Sequence, residues 1–265
     1  MTRKETEELI LREVVLHYLN SAEPIGSVQL QSSLNFEISS ATIRNYFRRL
    51  VEAGFLAQLH TSSGRVPTSQ ALRHYWEKVL PSNEVLRLSN LQKIEESARA
   101  NGIFALLRSE KPDRLTQLLN VEDNFLIARF EQGSVLLEYS RLLERFLKEF
   151  IGYFASDLYR IARENRIEAL EAAMQKKLQG NKIQSFNHTA LLRIAAKDEV
   201  WADAFFESCL NGTFLDELPC GVHFKQGVPP GHLVYTARAV LNDQPVSLLA
   251  MGHMSRDFRQ FLGSL

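Results

Sequence analysis

The stretch from Ser39 to Thr68 constrains the fold of this chain more than any other, because it holds the start and end of a helix and then a turn between two short apolar runs. Ser39 and Ser40 have hydroxyls that can accept the unpaired N–H groups of a first helical turn. Apolar residues then recur at i, i+4 and i+7, on one face of the predicted helix: Ile43, Phe47 and Leu50. Gly54 supplies the left-handed residue that often follows a helix end.

The opposite face of this predicted helix is polar and basic, and it contains no acidic residue. Its members are Ala41, Thr42, Arg44, Asn45, Arg48 and Arg49. Arginine and asparagine side chains can form paired hydrogen bonds to base edges in the major groove of DNA. The alternative interpretation is a solvated helix face without a ligand.

A β-hairpin is predicted directly after the helix. Phe55 to Leu59 and Arg65 to Pro67 are two short runs around a polar, glycine-containing turn, His60 to Gly64. A polar helix followed by such a hairpin is typical of a winged helix-turn-helix, in which the helix enters the major groove and the wing holds phosphates.

Local charge favours this interpretation over a solvated face. Five arginines and one glutamate lie between Ser39 and Tyr75, for a net charge of +4, whereas three basic and six acidic residues between Met1 and Ile38 give −3. A unit that is basic on one side can present that side to an anion. Because the whole chain of 265 residues has a formal net charge of zero, DNA affinity would have to come from this local patch.

Several motifs strongly resemble the HrcA family of bacterial heat-inducible transcription repressors. They are EPIGSVQL (23–30), SSATIRN (39–45), AGFLAQLHTSSGRVPT (53–68), LRHY (72–75), GVHFKQG (221–227) and VSLLAMGHMSRDF (246–258). The resemblance implies an α+β chain, with an N-terminal winged helix-turn-helix followed by a GAF-like α/β domain that carries a helical dimerisation insertion. It also implies a negative regulator of heat-shock (chaperone) operons that binds an inverted-repeat operator as a homodimer and is supported by the GroEL chaperonin.

The predicted DNA-binding residues come from the helix, the wing and two serines at helix starts, whose positions suit phosphate contacts. They are Ser27, Ser40, Thr42, Arg44, Asn45, Arg48, Arg49, His60, Thr61, Ser62, Ser63, Gly64 and Arg65.

Three segments are expected along the chain: a DNA-binding domain at 1–81, a linker with a connecting helix at 82–102, and a GAF-like domain at 103–265 with its insertion at about 141–199. In the third segment, Leu115–Leu119, Phe125–Phe130 and Val135–Tyr139 are predicted strands. From Arg141 onward, apolar residues recur every three or four positions, which predicts a long amphipathic helix. Part of its apolar stripe is the predicted dimer interface, with domain core as the alternative: Leu143, Leu147, Phe150 and Phe154.

No catalytic motif is found, and the histidines at 223, 232 and 253 have no acid or thiol at ligand spacing, so we expect no enzyme activity, metal or cofactor. No apolar run of about 18 residues and no signal peptide is found, which favours a cytoplasmic protein with reduced cysteines and no membrane segment. Two other classes stay open: a winged-helix regulator that senses a small molecule through its C-terminal domain, and, less favoured, an enzyme with an accessory DNA-binding domain.

Overall fold

The computed structural model of this mixed α+β chain describes residues 2–58, 60, 64–82, 84–110, 113–178, 182–196, 206–210, 212–224 and 228–265. The named helices are α1 (Arg3–Ser21), α2 (Ser27–Ser33), α3 (Ser40–Glu52), α4 (Ser69–Val79), α5 (Leu91–Asn101), α6 (Arg141–Lys148), α7 (Ala155–Glu164), α8 (Glu168–Leu178), α9 (His188–Ala195), α10 (Phe214–Glu217) and α11 (Phe258–Gly263). Residues 206–210 are also helical.

The strands form three sheets. They are β1 (Leu56–Ala57), β2 (Val66–Pro67), β3 (Leu86–Leu88), β4 (Phe104–Ser109), β5 (Leu115–Val121), β6 (Phe125–Phe130), β7 (Gly133–Glu138), β8 (Ile183–Phe186), β9 (Gly221–His223), β10 (His232–Leu241) and β11 (Gln244–His253). β1 pairs with β2, β5-β6-β7 form a second sheet, and the central sheet has the order β3-β10-β11-β4-β8, with β9 also paired to β10.

The N-terminal unit consists of α1 to α4 with β1 and β2. Thr2 caps α1 through a reciprocal pair of hydrogen bonds with Glu5, and the left-handed Ala22 ends the helix. The apolar faces of all four helices meet inside the unit, where Ile10, Ile43 and Trp76 are fully buried. Trp76 is therefore part of the core.

The central sheet is covered on both faces because side chains alternate along its strands. On β4, Ala105 and Leu107 belong to the same hydrophobic cluster as the N-terminal unit, α5 and α11, whereas Phe104 and Leu106 pack with α9 and α10 on the other face. One continuous core thus joins the N-terminal unit to the central sheet.

The segment expected as a linker at 82–102 contributes to this sheet. β3 pairs in parallel with β10, from Leu86 opposite Ala239 to Leu88 opposite Leu241. The expected connecting helix is α5, whose Ile94 and Ala98 are buried in the shared core. The segment is therefore packed structure along most of its length.

The inserted unit consists of β5, β6 and β7 with α6, α7 and α8, and it lies in sequence between two neighbouring strands of the central sheet, β4 and β8. All three predicted strands are found, but they pair only with one another and share a separate hydrophobic cluster with the three helices. The inserted unit therefore begins near residue 113 and ends before Ile183, earlier at both ends than the insertion expected at about 141–199.

The long helix expected from Arg141 is also interrupted. α6 ends at Lys148, Gly152 has a φ of +95°, and α7 begins at Ala155. Between them the chain runs beside β5, with Leu115 N–H donating to the Tyr153 carbonyl at 2.9 Å and Gly152 N–H donating to the Leu115 carbonyl at 2.7 Å. These contacts replace helical hydrogen bonds in the break.

Candidate nucleic-acid interface

The start of α3 is fixed by Ser39, which accepts from the Thr42 N–H at 3.1 Å and shares a 2.8 Å hydrogen bond with the Thr42 hydroxyl. Ser40 is the first helical residue and not the cap. At the other end, Phe55 N–H donates to the Leu50 carbonyl at 2.8 Å, and Gly54 has the left-handed φ of +79° that the sequence predicted.

The two faces of α3 are separated as predicted. Ile43, Phe47 and Leu50 are at most 3% exposed. The opposite arc carries four solvent-exposed polar side chains: Thr42, Arg44, Asn45 and Arg48. Arg44 forms no hydrogen bond or ion pair with any residue that the structure describes, so its guanidinium is free to meet a ligand.

Arg49 differs from the other two arginines. Its Nη2 lies 3.0 Å from Glu7 Oε2 on α1, and its guanidinium lies 5.8 Å from the centre of the Tyr46 ring. The half-buried Arg49 thus ties α3 to α1. The ion pair also offsets part of the charge of the basic segment, so Arg44 and Arg48 carry the outward charge of α3.

Ser27 is the first residue of α2, and Gly26 occupies the capping position without a side-chain hydrogen bond. Ser27 therefore does not cap α2. Ser27 is half-buried, and Val28 beside it is exposed. A helix start without a side-chain cap leaves first-turn N–H groups available to another acceptor.

The hairpin is held against the start of α2. Leu56 pairs with Pro67 and Ala57 with Val66, as predicted. In addition, Ile25 N–H donates to the Arg65 carbonyl at 3.0 Å and Arg65 N–H donates to the Ile25 carbonyl at 2.8 Å.

Gly64 lies where the hairpin approaches the backbone before α2 most closely. A Cβ at this position would lie 2.5 Å from the carbonyl carbon and oxygen of Ile25 and 2.9 Å from the Gly26 nitrogen. Only glycine fits this contact without movement of the backbone. Among the predicted wing residues, His60 is exposed and Arg65 half-buried, while Thr61, Ser62 and Ser63 lie outside the described residues.

Residues outside the predicted set hold this surface in place. The Thr68 hydroxyl donates to the carbonyls of Gly54 at 2.7 Å and Phe55 at 3.1 Å, and the same oxygen caps α4. Glu7 holds Arg49 from 42 positions away in sequence, which local pattern reasoning could not find. The close contact with Ile25 had one local sign in the sequence, the glycine of the predicted turn, Gly64.

α1 and α4 are joined by a charged contact at Glu8. Its carboxylate accepts from Lys78 Nζ at 2.6 Å and lies 3.1 Å from His74 Nε2. Partial burial raises the pKa of Glu8, but the hydrogen bonds and charges of Lys78 and His74 together lower it below its ordinary value.

A second surface of interest is the outer face of the sheet in the inserted unit. The inner face is buried against α6 to α8, as at Leu126 and Leu137. On the outer face the register aligns Leu119, Ile127 and Leu136 in one row and Val121 beside Phe125 in the next. Leu136 is 61% exposed and Phe125 45% exposed. This row and its neighbours, called here the outer sheet face, expose apolar side chains that no helix in the described part of the chain covers, with Glu138 opposite Phe125 at its edge.

The four residues predicted for a dimer interface lie elsewhere in the inserted unit. Leu147 is 1% exposed in its core, and Leu143 and Phe150 pack partly buried against the same cluster. Phe154 lies under the Arg114 guanidinium, 4.1 Å from its ring centre. For Leu147 the alternative of domain core is the better description.

No helix in the described part of the chain is long and apolar enough to cross a membrane. Across the same described residues, no group of three or more His, Cys, Asp or Glu side chains could hold a metal ion.

Comparison with known proteins identifies the family. The family profile described as the HrcA C-terminal domain matches residues 76–265. Two proteins named heat-inducible transcription repressor HrcA, from Helicobacter pylori strains J99 and 26695, are each 31% identical over 259 and 260 residues, covering 98% of this chain and 94% of their own. A crystal structure of a hypothetical protein at 2.2 Å resolution covers 100% of this chain and 95% of its own, at 17% identity and a TM-score of 0.49. The chain belongs to the HrcA family of heat-inducible transcription repressors.

Proposed function

We propose that this protein is a transcription repressor that binds operator DNA through a winged helix-turn-helix formed by its N-terminal unit. The observation that carries the proposal is the polar arc of α3, where Arg44, Asn45 and Arg48 are exposed while the opposite face is buried. In this proposal α3 enters the major groove, and Arg44 and Asn45 contact base edges. The names of the relatives support the repressor role.

The hairpin is the proposed wing. His60 and Arg65 contact backbone phosphates together with the serine and threonine hydroxyls of the turn. Ser27 and Ser40, each the first residue of a helix, lie where N–H groups and the helix dipole favour a phosphate. In this proposal Arg49 positions α3, since its guanidinium is already paired with Glu7.

DNA binding is tested by fluorescence anisotropy on a duplex with the inverted repeat of the family and on a scrambled duplex, across a series of salt concentrations. We expect preference for the repeat and a steep loss of affinity with salt, because phosphate contacts release counterions. Arg44→Ala should weaken binding by about 1–3 kcal/mol, with relaxed specificity at one base pair. The control is Arg87→Ala, an exposed arginine on β3. Equal binding to both duplexes would contradict the proposal.

We propose a homodimer, because an inverted repeat has two-fold symmetry and one N-terminal unit covers only half of it. The outer sheet face is the proposed interface, with a second copy of this chain as its occupant. Large exposed apolar surfaces on a folded domain are typical of interaction sites. This replaces the earlier assignment to Leu143, Leu147, Phe150 and Phe154, whose side chains are partly or fully used inside the unit.

The dimer is tested by sedimentation equilibrium. Leu136→Asp should give a folded monomer, because it buries a charge in the proposed interface. The matched control is Leu142→Asp on α6, where the side chain is 80% exposed away from the sheet rows. A Leu136→Asp protein that stays dimeric would rule out the outer sheet face.

The family further suggests control of heat-shock operons with support from the GroEL chaperonin. In this proposal heat unfolds part of the repressor, and chaperonin returns it to the DNA-binding state. The test is recovery of operator binding after heat treatment, with and without chaperonin and ATP. Recovery only in the complete mixture supports the proposal, and equal recovery in buffer would contradict it.

A further inference from the structure

A groove of about 750 Å³ opens beside the end of the central sheet, away from α3 and from the outer sheet face. It is bordered by the end of α5, one side of α9 along its length, and the adjoining ends of β10 and β11. Its volume lies in the range of roughly 300–1,000 Å³ that small-molecule sites occupy in proteins.

The lining of this groove is strongly basic. Arg99, Arg193 and Arg256 contribute to it, together with the histidines at positions 188, 232 and 253. Among the lining residues that the structure describes, Glu95 is the one acidic residue, and its carboxylate already pairs with Arg99 Nη2 at 2.5 Å. Arg193 and Arg256 have no ion-pair partner among the residues that the structure describes. Within the described part of the chain, two guanidinium groups in the groove therefore lack a counter-charge.

The backbone of the groove also favours an anion. The guanidinium of Arg256 lies against Gly102, 3.2 Å from where a Cβ would be, so a larger residue there would displace it. Asn187 precedes α9 but gives its side chain to α5, donating to the carbonyls of Ala98 and Ile103 at 2.9 Å each. Its side chain makes no capping hydrogen bond to α9, and the first residues of that helix, where the helix dipole is positive, are part of the groove lining.

The groove is also connected to the N-terminal unit. Arg256 belongs to the turn after β11, and the same turn contains Met254, whose carbonyl accepts from Trp76 Nε1 at 2.7 Å. Trp76 further stacks edge-on with Phe258 at 5.6 Å between ring centres. A shift of this turn would thus reach α4 through buried contacts.

We propose that this groove binds a small phosphate-bearing anion, held by Arg193 and Arg256, and that its occupancy is transmitted to α4 through the turn at 254–258. Guanidinium groups match phosphate oxygens geometrically, and two unpaired ones balance the two negative charges of a phosphoryl group. This site is separate from the proposed operator-binding surface, and it is where a ligand-sensing regulator of this fold would bind its ligand.

Pyrophosphate is the probe, titrated into the full-length protein by isothermal titration calorimetry. Binding is expected for the unmodified chain, and Arg193→Gln and Arg256→Gln should each weaken it on the order of tenfold or more. Arg145→Gln is the matched control, an exposed arginine on α6 of the inserted unit. Circular dichroism checks that the variants are folded. Absence of binding, or equal weakening in all three variants, would overturn the site.

The link to α4 has its own readout, the emission of Trp76 in a Trp201→Phe background. Saturating pyrophosphate should shift this emission, and Arg256→Gln should abolish the shift. Unchanged emission at saturation would overturn the transmission to α4.

A scrambled DNA duplex is titrated in parallel. If it displaces pyrophosphate and loses affinity in the same two variants, the groove is a DNA contact and the small-anion proposal is wrong. None of these results requires operator recognition, so failure here is distinguishable from failure of the repressor proposal.

Discussion

The N-terminal unit and the inserted unit bury their cores in similar ways but present opposite chemistry to solvent. In the N-terminal unit Ile43, Phe47 and Leu50 of α3 turn inward, and the exposed arc is polar and basic. In the inserted unit one face of the sheet packs against α6 to α8, and the other exposes apolar side chains such as Leu136 and Phe125 beside polar ones. Water solvates the first arc readily, whereas the second surface gains free energy on being covered. This difference supports the proposals that the first surface contacts DNA and that the second associates with a second copy of the chain.

The largest effect is expected at the contact that joins the N-terminal unit to the central sheet. Trp76→Ala removes a fully buried ring and its hydrogen bond to Met254, so the free energy of unfolding should fall by about 3–5 kcal/mol. The measurement is thermal or urea denaturation followed by circular dichroism. Val28→Ala, at an exposed position of α2, is the control with little change. An unchanged melting temperature in Trp76→Ala would contradict a shared core.

Two leucines of the inserted unit distinguish its buried core from its outer sheet face. Leu147→Ala opens a cavity in its core and should cost about 2–5 kcal/mol of unfolding free energy. Leu136→Asp should instead abolish the dependence of the urea midpoint on protein concentration, because stability linked to dimerisation depends on mass action. A midpoint that still rises with concentration in Leu136→Asp would show that the outer sheet face is not the dimer interface.

Gly64→Ala tests the contact that positions the hairpin. The added methyl would lie 2.5 Å from Ile25 backbone atoms, so the backbone must move, at a cost of about 1–3 kcal/mol in unfolding free energy. Thermal denaturation measures the loss. Gly263→Ala is the control, since a Cβ there meets nothing within 4 Å. Equal melting temperatures for the two variants would show that the hairpin is not held by this contact.

The smallest expected effect is the pH dependence from Glu8. Because its folded pKa is lowered, its contribution to stability is present above the ordinary pKa of 4.5 and is lost as pH falls through the lowered value. Solvent screening limits this contribution to less than about 1 kcal/mol. Plots of unfolding free energy against pH for the unmodified chain and Glu8→Gln, between pH 3 and 7, should keep a constant separation above pH 4.5 that shrinks as pH falls through the lowered pKa. A separation that does not change across this range would mean that the pair with Lys78 and His74 contributes nothing.

Sequence reasoning worked best where the controlling interactions are local. The bounds and buried face of α3 follow from a serine cap, apolar spacing and a glycine stop, all within a few residues. The same locality explains the correct placement of β5, β6 and β7, whose alternating patterns are readable in sequence. The polar arc of the candidate interface was accordingly predicted, except that Arg49 is drawn inward by Glu7 on another helix.

The features that were not predicted depend on contacts between segments that are distant in sequence. Whether β5 to β7 join the central sheet depends on hydrogen bonds between distant segments, so the insertion was expected to begin later than it does. The break after Lys148 arises because the next residues pair beside β5, which overrides their helical periodicity. β3 was expected as linker because three residues carry too little pattern to indicate a strand.

In the proposed dimer, two N-terminal units bind the inverted repeat together because the inserted units associate. The most direct test is fluorescence anisotropy of the unmodified chain and of Leu136→Asp on duplexes carrying the full inverted repeat and a single half-site. We expect two unmodified chains to bind the full repeat tightly. We also expect that Leu136→Asp falls to half-site affinity on the full repeat, while binding of the isolated half-site does not change. A Leu136→Asp protein that binds the full repeat as tightly as the unmodified chain would contradict the account.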